Sequence, residues 1–116
     1  MANSPLRIGH SHSGQVCIVS LDGRIDSTNS SEVLTQLNDL LASGEKHILV
    51  DFSAVLYLTS AAFRVLLVAT DEAQRRAASI ALCSLAERVR ELFEMGGLLE
   101  AFTIHGSREE ALAQFG

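Results

Sequence analysis

Apolar and polar positions along the chain follow two periods, and the switches between them mark out its elements. The densest apolar run is His47-Ile48-Leu49-Val50-Asp51-Phe52. It is nearly continuous rather than alternating, which suits a strand buried on both faces at the centre of a sheet. Upstream, Leu6 to His10 and Val16 to Leu21 read as two strands of a hairpin around the Ser13-Gly14 turn signal. The period becomes helical after Asp26. Asn29-Ser30-Ser31-Glu32 forms a capping box, Val33, Leu34, Leu37, Leu40 and Leu41 recur on one helical face, and Gly44 supplies a left-handed stop after Ser43.

Ser53 to Leu58 is expected to be a connection, after which Thr59-Ser60 opens a second helix. Phe63, Leu66, Leu67 and Thr70 mark its apolar stripe, widened by Val65, Val68 and Ala69, and Asp71 to Arg76 make a polar exit. Ser79 to Cys83 is the next strand. Ser84 to Glu87 reads as a second capping box, before a helix carrying Leu85, Val89, Leu92 and Phe93 that Gly96-Gly97 ends. Phe102-Thr103-Ile104 is a short last strand, and Ser107 to Glu110 a third capping box before the apolar side Ala111, Leu112 and Phe115 of a final helix. Helices alternating with strands imply an α/β domain of parallel strands, to which the hairpin adds an antiparallel edge.

Composition narrows the function classes. A chain of 116 residues, 47% hydrophobic, has material for one core, and residues 1–116 are expected to be one domain with Met1 to Ser4 a disordered N-terminus. Net charge is −5 and the nine Lys and Arg residues form no cluster, which argues against nucleic acid as a partner. The first residues lack a basic region followed by an apolar core, and no apolar run approaches the roughly 20 residues that span a bilayer. A soluble, cytoplasmic protein without a membrane partner is expected.

The search for chemistry is mostly negative. Cys17 and Cys83 sit in apolar strands and read as reduced, buried thiols. His10 and His12 share a strand face, but no third ligand lies at a recognisable spacing, so they read as surface histidines and no metal is expected. There is no Gly-rich phosphate loop and no Gly-x-Ser-x-Gly nucleophile turn. Asp51 has no second acid or His at a convincing place and reads as a turn or cap residue. The chain is therefore expected to be neither an enzyme nor a cofactor protein, and a small nucleotide-binding or catalytic α/β protein is disfavoured.

Interest centres on Thr59-Ser60. A buried strand leading into a hydroxyl-bearing helix start presents unpaired N–H groups and partial positive charge at one surface point, where anions or partner acceptors dock. The order of elements, the turn Leu21-Asp22-Gly23-Arg24-Ile25-Asp26, the strand exit Val50-Asp51-Phe52-Ser53-Ala54-Val55 and the stretch Leu58-Thr59-Ser60-Ala61-Ala62-Phe63-Arg64-Val65-Leu66-Leu67 together resemble the STAS domain, specifically the stand-alone bacterial anti-sigma factor antagonists. The likeness covers roughly residues 5 to 115. It implies the STAS fold, a mixed four- to five-stranded sheet covered by about four helices.

The resemblance also implies a mechanism. In that family the antagonist binds an anti-sigma factor that is also a serine kinase related to histidine-kinase ATPase domains, and so releases a sigma factor. Phosphorylation of a Ser at the start of the second helix breaks the complex, and a serine phosphatase resets it. A phosphate adds nearly two negative charges and three acceptor oxygens, which the helix start tolerates and an acidic or apolar partner surface does not. The family motif Asp-Ser-Ser/Thr-Gly-Leu, laid on this chain, puts Thr59 at the Asp, Ser60 at the first Ser, Ala61 at the acceptor and Ala62 at the Gly.

With no hydroxyl at Ala61, either Ser60 accepts the phosphate or the chain is a constitutive binder. Thr59 is the other acceptor candidate, and plain helix capping accounts for both hydroxyls. A methyl at Ala62 narrows how closely another backbone can approach. Asp26 matches the family's acidic loop position and Arg64 follows on the same helix start, so the expected partner surface is Asp26, Thr59, Ser60, Ala61, Ala62 and Arg64. The alternative is a non-phosphorylated STAS subunit of a larger assembly, such as a stress-signalling scaffold or a lipid-transport complex.

Overall fold

In the computed structural model, which describes residues 6–115, five strands form one sheet in the order β1-β2-β3-β4-β5. The strands are β1 (Arg7–Ser13), β2 (Val16–Ile25), β3 (His47–Leu58), β4 (Ser79–Cys83) and β5 (Thr103–His105). Between them run α1 (Ser30–Ala42), α2 (Ser60–Arg75) and α3 (Glu87–Met95), and α4 (Arg108–Ala113) closes the chain. Only β1 and β2 pair antiparallel; the other neighbours pair parallel, each crossover carrying one helix. The expected mixed sheet, hairpin and four helices are all present. The segment expected to be a disordered N-terminus lies outside the described residues.

The period-two side-chain rule divides the core. One face of the sheet, with Cys17, Val19, Ile48, Val50, Phe52, Ile80 and Leu82, packs against α1, α2 and α3. Phe93 of α3 is fully buried, with edge-on rings of Phe52, Phe63 and Phe102 around it. The opposite face, with Val16, Ile18, Leu49, Ala81 and Cys83, is covered by Ala111 of α4.

Asp51 belongs to this second face. Burial works to raise its carboxyl pKa, yet the Ser53 N–H at 2.8 Å and the Arg108 guanidinium at 2.7 Å outweigh burial and hold it below the ordinary carboxylate value. The turn or cap role expected for Asp51 from sequence is thus corrected. Asp51 sits within β3 and ties α4 to the sheet.

Three local expectations are corrected. Ser53 to Leu58 is no connection, and Leu21 to Asp26 is no turn up to Ile25: both continue their strands, pairing Asp22 with Ala54, Gly23 with Val55, Arg24 with Tyr57 and Ile25 with Leu58. Each segment reads as loop on composition, but Leu21, Gly23 and Ile25 point inward and Asp22 and Arg24 outward, the alternation of a half-buried strand. The register shifts twice, so β3 runs one residue ahead after Ser20 and one more after Gly23. The second shift passes over Leu56, which is 63% exposed.

The first two capping boxes are not made. Asn29 stands at the N-cap of α1 without a side-chain cap, because its amide is engaged with Asp26 N and Arg24 O, both at 2.9 Å. Ser84 adopts a left-handed φ of 63° and its N–H donates to His105 O, so α3 starts only at Glu87. The third is made: Ser107 Oγ accepts from Glu110 N at 3.1 Å, and the Glu110 carboxylate reaches back to Gly106 N. The stop at Gly44 also holds, with φ at 105°.

The third correction is the phase of α2. Its buried residues are Ala62, Leu66, Ala69 and Ala73, whereas Leu67 and Val68 are 38% and 43% exposed. Small residues on the inner stripe let α2 lie close to the sheet, which turns the larger Leu67 outward.

The phase predicts that Leu66→Ala lowers stability by about 2–5 kcal/mol and Leu67→Ala by less than about 1 kcal/mol, read as urea midpoints; equal losses would restore the stripe centred on Leu67. For α4, Arg108→Ala is expected to cost about 1–2 kcal/mol at neutral pH, below the ~3–5 kcal/mol of a fully buried pair, because the guanidinium is 43% exposed. The sign with pH follows from the depressed Asp51 value. Its contribution is present above the unfolded pKa and is lost as pH falls through the lower folded one, so the variant should show a flatter acid limb in denaturation across pH.

Candidate functional site

The C-terminal ends of β2 and β3 leave the sheet together. Ile25 pairs with Leu58, and the Thr59 N–H donates to Ile25 O at 3.1 Å. The next residues, Asp26 on one side and Ser60 on the other, therefore emerge at the same end, one opening the loop to α1 and the other opening α2. Arg24 and Tyr57, opposite one another across the strands, place a guanidinium 5.2 Å from the ring centroid on the approach to this end.

The Asp26 loop is built by its own hydrogen bonds. The Thr28 hydroxyl and the Thr28 N–H both donate to Asp26 Oδ1 and hold its carboxyl below the ordinary range. Asp26 O accepts from Asn29 N and Ser30 N, and Asn29 is braced against Arg24 O. The result is a fixed, ionised carboxylate beside the start of α2.

At that start, Thr59 occupies the N-cap with an extended backbone but makes no side-chain cap; its Oγ1 is buried without a hydrogen-bond partner. Thr59 O accepts from Ala62 N and Phe63 N. Ser60 is exposed on the first turn, Ala61 is half-buried, and Arg64 is exposed one turn further on. Ala62 is fully buried, so its methyl faces the core and not the surface. The N–H groups of Ser60 and Ala61 are left without a backbone partner among the described residues at this start, and α2 carries no acidic residue in that turn. The site presents a donor-rich helix start with one reachable hydroxyl, flanked by a carboxylate.

Leu56 borders this end and went unread in the sequence, because its exposure depends on a register shift that no local pattern reports. A second juxtaposition was also missed. His12, Cys17 and the carboxylate of Glu45 come together at the opposite end of the sheet; the signal that could have found them is the hairpin register, which sets His12 against Cys17. Among the described residues, no helix is long and apolar enough to cross a membrane.

The sequence comparisons place the chain in one family, and the solved structures share its fold. The STAS domain model matches residues 9–111. A protein of Bordetella bronchiseptica named as an anti-sigma factor antagonist, BtrV, is 33% identical over 98 residues, 84% of each chain. Among solved structures, an anti-sigma factor antagonist of Thermotoga maritima superposes with a TM-score of 0.86 at 18% identity, covering 92% of both chains. The Bacillus cell fate determinant SpoIIAA in its phosphorylated form gives 0.72 at 16% identity, covering 97% of this chain and all of that one (100%). With its five-stranded mixed sheet, the paired exits of β2 and β3 and a family match over nearly all its described length, this chain belongs to the STAS domain family.

Proposed function

We propose that the protein is an anti-sigma factor antagonist, a cytoplasmic binding module rather than an enzyme. It docks an anti-sigma factor serine kinase of histidine-kinase-like ATPase fold through the Asp26 loop and the start of α2, and so releases a sigma factor. The observation that carries this reading is the joined exit of β2 and β3, which sets an ionised Asp26 beside an exposed Ser60 on the first turn of α2. Asp26, Ser60 and Arg64 supply polar contacts there, with Thr59, Ala61 and Ala62 shaping the backbone between them.

Of the two acceptor candidates, Ser60 is favoured. Its side chain stands on an exposed residue, while the Thr59 hydroxyl is buried and out of reach of a kinase. A phosphate on Ser60 meets the unpaired N–H groups and partial positive charge of the helix start, so the domain itself tolerates it. The partner, packed against Asp26 and this turn, faces two added negative charges and loses affinity. A serine phosphatase restores the binding form.

The alternative, a permanent STAS subunit of a larger assembly, is favoured by one observation. Ala61 occupies the family's acceptor position, and a chain without a hydroxyl there has no need of the switch.

The expected result of incubating the protein with ATP and its cognate kinase is one added phosphate by intact mass, lost in Ser60→Ala and kept in Thr59→Ala. No added phosphate beside a complex that survives ATP selects the permanent subunit. Asp26→Ala is expected to weaken the kinase complex about tenfold, ~1.4 kcal/mol, by calorimetry, with only a small fall in the thermal midpoint of the free protein from the lost Thr28 contacts; full affinity in this variant would remove the Asp26 loop from the interface.

A further inference from the structure

At the end of the sheet away from Asp26 and Ser60, we infer that His12 Nε2, Cys17 Sγ and a Glu45 carboxylate oxygen form a binding site for zinc(II). The three atoms lie within 4.8 Å of one another although their residues come from β1, β2 and the loop between α1 and β3. Register explains the meeting. His12 and Cys17 are direct partners across the antiparallel hairpin, so their side chains leave the same face a few ångströms apart. That face is the one α1 covers, and the turn after α1 returns the chain at Glu45, whose Oε2 is 2.8 Å from His12 Nε2.

The donor set selects the metal class. A thiolate, an imidazole and a carboxylate suit zinc and its neighbours among the transition metals, whereas magnesium and calcium take oxygen ligands throughout. With neutral His12, the charges of Zn²⁺, the Cys17 thiolate and the Glu45 carboxylate cancel, which removes the cost of an unbalanced charge beside the core. Tetrahedral zinc holds nitrogen, oxygen and sulfur ligands about 3.5 Å apart, so on loading the His12–Glu45 pair, at 2.8 Å, opens by roughly 0.7 Å, while the separations from the sulfur, all within 4.8 Å, close toward that value. His12, with a side chain 54% exposed, and Glu45, on a loop, have the freedom to do so.

Entry follows from burial. Cys17 is fully buried, and the His12–Glu45 pair lies within 4.8 Å of its sulfur. An incoming ion replaces that hydrogen bond, forms bonds to Nε2 and the carboxylate oxygen, and bonds to sulfur as the thiol proton leaves to solvent. Three protein ligands leave the fourth tetrahedral position to water. Loaded, the site fastens the sheet's edge strand to the turn after α1.

The test uses cobalt(II) as the spectroscopic stand-in for zinc on the reduced full-length protein. The expected outcome is one ion per chain, with an intense thiolate-to-cobalt charge-transfer band in the near ultraviolet. His12→Ala and Glu45→Gln, both outside the core, are each expected to weaken cobalt binding by about tenfold or more. Cys17→Ser removes the band, while Cys83→Ala keeps it. Zinc should also raise the thermal midpoint of the wild type but not of His12→Ala. A band unaffected by either surface variant, or no band under excess cobalt(II), overturns the site. Should Cys17→Ser fail to fold, the two surface variants decide the question alone.

Discussion

The parallel pairing of β2 with β3 is the constraint on which the molecule depends. It joins two strands distant in sequence, forces α1 across one face, and runs from Val16 against His47 to Ile25 against Leu58. Its far end delivers Asp26 and Ser60 to one place, and its near end delivers Cys17 and Glu45 to another. Because side chains alternate strictly along a strand, one uninterrupted register would have fixed both ends at once. The two shifts let the C-terminal half take its own alignment while the N-terminal half stays locked against β4.

What the sequence disclosed were the features written in local pattern. The hairpin, β4, the stop at Gly44 and the cap at Ser107 depend on residues within a few positions of each other, and each appears where its residues announced it. The failures share one cause, the neglect of partners far along the chain. Ser53 to Leu58 reads as a loop until Asp22 to Ile25 is laid beside it. Asn29 and Ser84 have the composition of caps, but a nearby carbonyl and a strand claim their hydrogen bonds first. In α2, apolar count put Leu66, Leu67 and Val68 on or beside one stripe; Leu66 is inward as read, but the inner stripe is completed by Ala62, Ala69 and Ala73, and Leu67 and Val68 face out.

The same holds for the sites. The Thr59-Ser60 helix start was legible because capping chemistry and a family motif are both contiguous. That the two hydroxyls are unequal was not legible: neighbours in sequence, one is closed off against the sheet and the other stands free. His12, Cys17 and Glu45 offered no spacing to recognise, since a cross-strand pair and a returning loop leave no fixed interval in the chain.

Beyond Ala54, β3 pairs with β2 alone, so the segment leading to the helix start leaves the sheet as two strands, from Gly23 against Val55 to Ile25 against Leu58. Ile25, Val55 and Leu58 are buried in the main core, so parting these strands exposes core surface as well as breaking their hydrogen bonds. The lip that carries Asp26 and Ser60 therefore melts with the core, and a partner docking there meets a surface already ordered, with little conformational entropy left to lose.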